Sequence, residues 1–315
     1  MTDWALERDL VRTAAAVART RTRVAPYIRH TPVVELDDTR LAKLETLQRG
    51  GSFKIRGAAS AITAAPGARE VVAASTGNHG IAVAQVAGAL GLSCRVFVPS
   101  GAEPAKLARL RATAVELVAI EGDPLQAELA ARASAAGTPG ALLVPPYNDP
   151  EVVLGQATIG LELIDAVTPP PDVLFAPVGG GGLLSGIALA VRERWPGCRI
   201  VGCVPAASPA MADAVAAGHA VTSRVLPTLA DATAGNIEPD AITIPICAAL
   251  VDELVLLEED ELAAAMGTAL REHHLVIEGA AALALAASLR APRSGRHLIV
   301  LSGAGVGLDA LRAIV

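Results

Sequence analysis

The run Gly51-Ser52-Phe53-Lys54-Ile55-Arg56-Gly57-Ala58 sets a lysine between an aromatic and an aliphatic residue at the start of a helical stretch. Flanked in this way, an amine can lose its water shell, which lowers its pKa and suits it to imine formation. Alone, the segment reads more simply as a snorkelling surface lysine. Ser75-Thr76-Gly77-Asn78-His79-Gly80 follows a β-branched run and opens a helical one, so its N–H groups and hydroxyls suit a carboxylate or phosphate. Asn78 adds an amide able to bond a phenolic oxygen, although Ser, Thr and Asn also favour caps and turns for local reasons. Val178-Gly179-Gly180-Gly181-Gly182-Leu183-Leu184-Ser185-Gly186 again joins a strand to a helix. Four glycines in a row cost backbone entropy, and what they allow is close approach of N–H groups to an anion. Finally, Leu301-Ser302-Gly303-Ala304-Gly305 supplies a hydroxyl after the last apolar run, either a helix cap or a ligand contact.

Three phosphate-loop chemistries compete for the tetraglycine. A P-loop needs Gly-Lys-Ser/Thr after the glycines, and no lysine follows here. A dinucleotide site wants an acid at the end of the next strand to hold a ribose, but that strand runs into Cys203-Val204-Pro205. A lone phosphate monoester remains. Together the four segments offer an amine, an anion cradle, an amide for a phenolic oxygen and a hydroxyl for a ring nitrogen. Pyridoxal 5′-phosphate (PLP) uses all four.

The elements that must position these segments follow a βαβ rhythm, which predicts an α/β fold with parallel sheets. Strands are expected at 71–74, 94–98, 115–120, 141–144, 173–176, 199–203 and 297–301, with helices between them. Ligands of open α/β folds bind beyond the carboxyl ends of the strands, where three of the four segments lie. A chain of 315 residues, 52 % hydrophobic and 18 % charged, is globular and long enough for two domains. Net charge −6 with scattered arginines and 2 % aromatics disfavours nucleic acid as a partner. Asp3, Glu7 and Asp9 argue against a signal peptide, and charges, Pro or Gly interrupt every long apolar run, so no membrane association is expected. Cys94, Cys198, Cys203 and Cys247 show no metal or disulfide spacing and read as buried free thiols of a reducing, cytoplasmic protein. His30, His219, His273, His274 and His297 have no metal or triad spacing, and Glu258-Glu259-Asp260-Glu261 reads as a helix start.

In this arrangement the sequence resembles the fold-type II PLP enzymes, and most closely their serine/threonine dehydratase and serine racemase group. The likeness runs through Thr31-Pro32, Leu44-Glu45-Thr46-Leu47-Gln48, the Lys54 segment, Ser75 to Gly80, Gly155-Gln156-Ala157-Thr158-Ile159-Gly160, the tetraglycine, Leu275 to Ala280 and Ser302 to Gly305. It implies two open twisted parallel-sheet domains with the cofactor in the cleft: residues 1–68 with 148–315 binding PLP, and 69–147 binding the substrate carboxylate. Lys54 would carry PLP as a Schiff base over Phe53. Gly179, Gly180, Gly181, Gly182 and Leu183 would bind its phosphate, Asn78 its ring oxygen and Ser302 its ring nitrogen. Ser75, Thr76, Gly77 and His79 would line the site of the substrate carboxylate. The implied reaction is α,β-elimination on a β-hydroxy amino acid to a 2-oxo acid and ammonia, with Thr76 or the cofactor phosphate protonating the leaving hydroxyl. A homodimer is also implied.

Ile55 after the lysine and His79-Gly80 at the end of the second loop separate the chain from the cysteine synthases it otherwise resembles. A divalent-cation site in this group uses a carboxylate where Val204 stands, so no metal is expected there. Thr76 stands where serine racemases resemble one another in carrying serine, which leaves racemisation as an alternative. Dehydration of 3-hydroxyaspartate or of a hydroxyectoine-derived acid is another, the latter suggested by Pro145-Pro146-Tyr147-Asn148-Asp149-Pro150. A catalytically silent PLP-binding protein would have no need of the Ser75 to His79 turn. The segment between Pro32 and Leu44 is shorter than is usual in the group, which suggests a trimmed helix near the entrance. Glu278 lies in a matching motif without an evident role.

Overall fold

Short apolar strands and Ala-rich helices alternate along the chain and assemble into two separate sheets. The computed structural model describes residues 10–113, 115–122, 124–312 and 314; Asp3, Glu7 and Asp9 lie outside them. The larger sheet has six strands in the order β1 (Val33–Glu35), β2 (Arg40–Leu44), β10 (His297–Leu301), β7 (Val173–Pro177), β8 (Arg199–Pro205) and β9 (Glu253–Leu257). Only the β1–β2 pair in it is antiparallel. The smaller sheet is parallel throughout, in the order β5 (Glu116–Ile120), β4 (Ser93–Pro99), β3 (Glu70–Ala74) and β6 (Ala141–Leu143).

Alternation along the central strands explains why both faces of the large sheet are covered. Leu174 and Ala176 of β7 pack with α6 (Pro150–Ala166) and α7 (Gly182–Val191), whereas Phe175 between them packs with α10 (Glu259–His273) and α11 (Gly279–Arg290). A strand buried on both sides reads as an unbroken apolar run, and β7 and β10 do. The helix α11 is buried almost along its length, and its alanines are small enough to let it lie close to the sheet.

All seven expected strands form. Three more were not foreseen: β1, β2 and β9. The second of these is Arg-Leu-Ala-Lys-Leu with all five residues buried, a strand disguised by its two cations. In place of a trimmed helix between Pro32 and Leu44 stands the β1–β2 hairpin, its turn tied by Asp37 Oδ1, which accepts from the amides of Thr39 and Arg40 at 2.8 and 3.0 Å. The four cysteines are buried free thiols. Glu258 and Glu261 form a capping box at the start of α10. No helix among the described residues is long and apolar enough to cross a membrane. Among the described residues no three His, Cys, Asp or Glu side chains are grouped to hold a metal, and Val204 is buried inside β8.

The cations of the core are paired. Arg56, on the first turn of α2 (Lys54–Thr63), lends two forks at once: Nε and one terminal nitrogen donate to Glu45 at 2.8 Å each, and both terminal nitrogens donate to Glu162 at 2.7 and 2.9 Å. Lys43 of β2 also donates to Glu162 and, at 2.6 Å, to the carbonyl of Thr31. The two carboxylates hold the guanidinium well above its ordinary pKa against the opposing effect of burial. Removing one member of such a cluster strands the others without water, at a cost of about 3–5 kcal/mol. Arg56→Leu is therefore expected to lower the unfolding free energy by about that amount, read as a fall in the denaturant midpoint. An unchanged midpoint would show that the cluster does not hold α2.

Candidate active site

The four chemical segments all border one cleft of about 350 Å³ between the two sheets. Ala74, Pro99 and Pro177, the last residues of β3, β4 and β7, stand in its wall, as does Ser302 just beyond β10. The carboxyl ends of both sheets therefore face one space, which is where open α/β folds take ligands.

Lys54 reaches this space because its segment is stitched to the last loop. Phe53 N donates to Ser302 O at 3.0 Å, Ala304 N donates to Gly51 O at 2.9 Å, and Ser52 pairs with Gly303. The amine donates to Pro146 O at 3.0 Å and lies 5.2 Å from the centre of the Phe53 ring. Burial lowers its pKa to about 8, and the opposing charge of Glu278 keeps it from falling further. The sequence has three lysines. Lys43 is locked in the core, and Lys106 pairs with Asp231 at 2.6 Å.

Between β3 and α3 (Asn78–Ala89) the turn is tightened by Gly77 N, which donates to Ser75 Oγ at 3.1 Å. Ser75, Thr76, Gly77 and Asn78 border the cleft. His79 does too, but its ring is buried with Nε2 2.8 Å from Val144 O. Because a carbonyl only accepts, Nε2 carries the proton. Burial and the neighbouring Lys54 charge lower the ring's pKa to about 3, so at neutral pH His79 is uncharged and its main-chain N–H is what it can offer an anion.

Gly179 to Leu183 form the opposite wall. Gly181 caps α7 from the left-handed region, φ +85°, and the first amides of a helix have no partner within it. The ring of Tyr147 lies against Gly180 so closely that a Cβ there would overlap it. Tyr147 Oη accepts from Glu238 N at 2.9 Å, which fixes the ring. Ser302 is buried and lines the same cleft.

Sequence reasoning left Glu278 without a role. The residue is 7 % exposed and borders the cleft, and its carboxylate accepts from Asn78 Nδ2 at 3.0 and 2.9 Å. Burial raises its pKa, against the hydrogen bonds of Asn78 and Gly305 N. The bonds Lys106–Asp231 and Arg132–Glu238, each 2.6 Å, also tie helices packed beside the smaller sheet to the 231–238 stretch and were equally unforeseen. Each involves side chains on separate stretches of the chain, and no local motif signals them. The Pro145 to Pro150 run was the available signal for Tyr147.

The chain matches the family described as "Pyridoxal-phosphate dependent enzyme" over residues 24–303. It belongs to that family. It is 41 % identical over 281 residues to an L-threonine ammonia-lyase of Geobacter sulfurreducens, covering 87 % of this chain and 69 % of that one. To a serine racemase of Arabidopsis thaliana it is 34 % identical over 307 residues, 92 % of each chain. A solved threonine deaminase from T.th. superposes with a TM-score of 0.84 at 34 % identity, over 93 % of this chain and 98 % of that one. The fold is therefore that of the fold-type II PLP enzymes, and PLP is the cofactor of this family member.

The residues of the cleft fit that cofactor. A phosphate suits the amides at the start of α7, an aldehyde suits an amine poised near neutrality, and a phenolic oxygen suits an N–H of Asn78. For this PLP enzyme the amine's ionisation carries a direct consequence. Its neutral fraction grows as pH rises through about 8 instead of 10.5, the value of an unperturbed lysine. The rate at which the cofactor-free protein captures PLP is expected to rise with pH and level off above about 8. A profile still climbing to 10.5 would contradict a desolvated Lys54.

Proposed function

We propose that the protein is a PLP-dependent ammonia-lyase acting on a β-hydroxy amino acid of the L-threonine or L-serine type. The observation that carries this reading is the pairing, across one cleft, of a lysine of lowered basicity with the Ser75 to His79 turn. The 41 % identity to an L-threonine ammonia-lyase supports it.

In this reading Lys54 would hold the cofactor beside Phe53, and the amides of Gly179, Gly180, Gly181, Gly182 and Leu183 would hold its phosphate. Asn78 would donate to the ring oxygen and Ser302 would serve the ring nitrogen. When bound, PLP supplies an electron sink for charge developing at the substrate Cα. Ser75, Thr76, Gly77 and the main-chain N–H of His79 hold the substrate carboxylate. Displaced by the substrate amine, the Lys54 amine removes the Cα proton. The hydroxyl of Ser302 is neutral and would bring no negative charge to the ring nitrogen of a bound cofactor, which would leave the sink modest. Expulsion of the β-hydroxyl then competes well; Thr76 Oγ1 gives it the proton with which it leaves as water and regains one from the Lys54 ammonium. Hydrolysis of the released enamine takes up one water and yields one 2-oxo acid and one ammonia.

Closure of residues 69–147 over the rest of the chain would exclude water from this chemistry, with Lys106–Asp231 and Arg132–Glu238 fastening the closed form. A solvent-exposed pair such as Lys106–Asp231 contributes about 0–1 kcal/mol, weak enough to open in every turnover. A homodimer in the cytoplasm is part of the same reading and rests on the resemblance to the group.

Incubation of the purified protein with L-threonine, L-serine and 3-hydroxyaspartate is expected to give oxo acid and ammonia in equal amounts from at least one of them. Lys54→Ala is expected to lose the yellow band of the lysine-bound cofactor, with turnover falling by about 10²–10⁴-fold. No oxo acid from any β-hydroxy amino acid would contradict the lyase. D-serine formed from L-serine faster than oxo acid would favour the racemase instead.

A further inference from the structure

Glu278 precedes α11 at the N-cap position, yet its side chain makes no capping bond to that helix. It turns the other way. Its oxygens accept from Asn78 Nδ2 at 3.0 and 2.9 Å, and Oε2 also accepts from Gly305 N at 2.8 Å. Its own main-chain N–H donates to Gly303 O at 3.0 Å. The Ser302 loop is shaped around this carboxylate. A Cβ on Gly303 would stand 2.5 Å from Oε1, and one on Gly305 would stand 2.7 Å from Oε2 and 2.6 Å from Asn78 Oδ1.

An ionised carboxylate only accepts hydrogen bonds, so the amide of Asn78 has to meet it with its NH₂ end. The two oxygens share one of the two N–H hydrogens, and the other is left for the cleft that Asn78 borders. Were the amide turned over, the cleft would meet Oδ1, an acceptor, where a cofactor oxygen needs a donor. Resting on the reading of Asn78 as the contact of the cofactor's ring oxygen, we propose that Glu278 is a positioning residue: its carboxylate fixes the Asn78 amide with one N–H toward the cleft and thereby keeps that oxygen an anion. Asn78 begins a helix of the smaller sheet and Glu278 precedes one of the larger, so the bond that orients the donor forms only when the two bodies are together.

The charged groups facing this carboxylate are Lys54 on α2, Arg109 on the helix that starts at Pro104, and Asp231. Its ionisation starts from a raised pKa, so protonation on lowering the pH comes earlier than for an ordinary glutamate. Once protonated it donates as well as accepts, and the amide is free to turn.

The test is spectroscopic and uses the holoenzyme. The bound cofactor absorbs in the visible when its ring oxygen is an anion and in the near ultraviolet when that oxygen carries a proton. Glu278→Gln keeps the shape but donates as well as accepts, and it is expected to lower the visible-to-ultraviolet ratio about ten-fold, the scale of one hydrogen bond to a charged group. Asn78→Ala is expected to lower it as far, and the double variant no further. In the wild type, lowering the pH is expected to reduce the ratio in one step that both single variants lack. This titration also serves if Glu278→Gln folds poorly. A shifted ratio in Asn78→Ala with none in Glu278→Gln and no acid step in the wild type would overturn the proposal while leaving Asn78 as the contact. A ratio unmoved in both variants would overturn the reading of Asn78 and the proposal with it.

Discussion

A guanidinium enclosed by two carboxylates, with no water to share, has one comfortable position, and that position fixes the helix that carries Lys54. Arg56 forks to Glu45 beside β2 and to Glu162 on α6, so α2 is tied both to the large sheet and to the helix packed on it. Lys54 is half a turn away, at the point where the chain leaves the core for the cleft. Charge pairs this deep seldom add net stability over a well-packed apolar core; what they add is a single geometry. For an amine proposed to meet one carbon atom of a cofactor, a single geometry is what matters.

The same burial that makes the core rigid tunes the cleft. The pKa of Lys54 is lowered to about 8 because water is excluded, and Glu278 limits the effect by facing it. His79 is neutral for the same reason and spends its ring on Val144 O, leaving its backbone to the ligand. The basicity of each of these groups is thereby set by its surroundings before any substrate arrives. The walls come from different sheets joined by a few polar bonds, so the arrangement is complete only when the sheets are together.

Much of this was legible in the sequence because it is local. Strand, Gly-rich loop and helix follow one another within a few residues, and four such segments pointed to one cofactor. The strand β2 was hidden because Arg40 and Lys43 sit in positions that normally exclude charge, and only their partners, far off in the chain, make burial tolerable. Glu278 was hidden for a related reason: Asn78 lies 200 residues away, and a glutamate ahead of a helix reads as a cap. His79 showed its type but not its direction, since the turn motif says nothing of the Val144 carbonyl behind it.

Reduction of the holoenzyme with borohydride, followed by digestion and mass mapping, tests most directly whether Lys54 is the residue all this serves. Reduction converts the carbon–nitrogen double bond to a stable secondary amine and leaves the pyridoxyl group on the nitrogen that held it. With three lysines in the chain, the label is expected on the peptide bearing Lys54. A label on Lys43 or Lys106, or none on any lysine, would contradict the assignment.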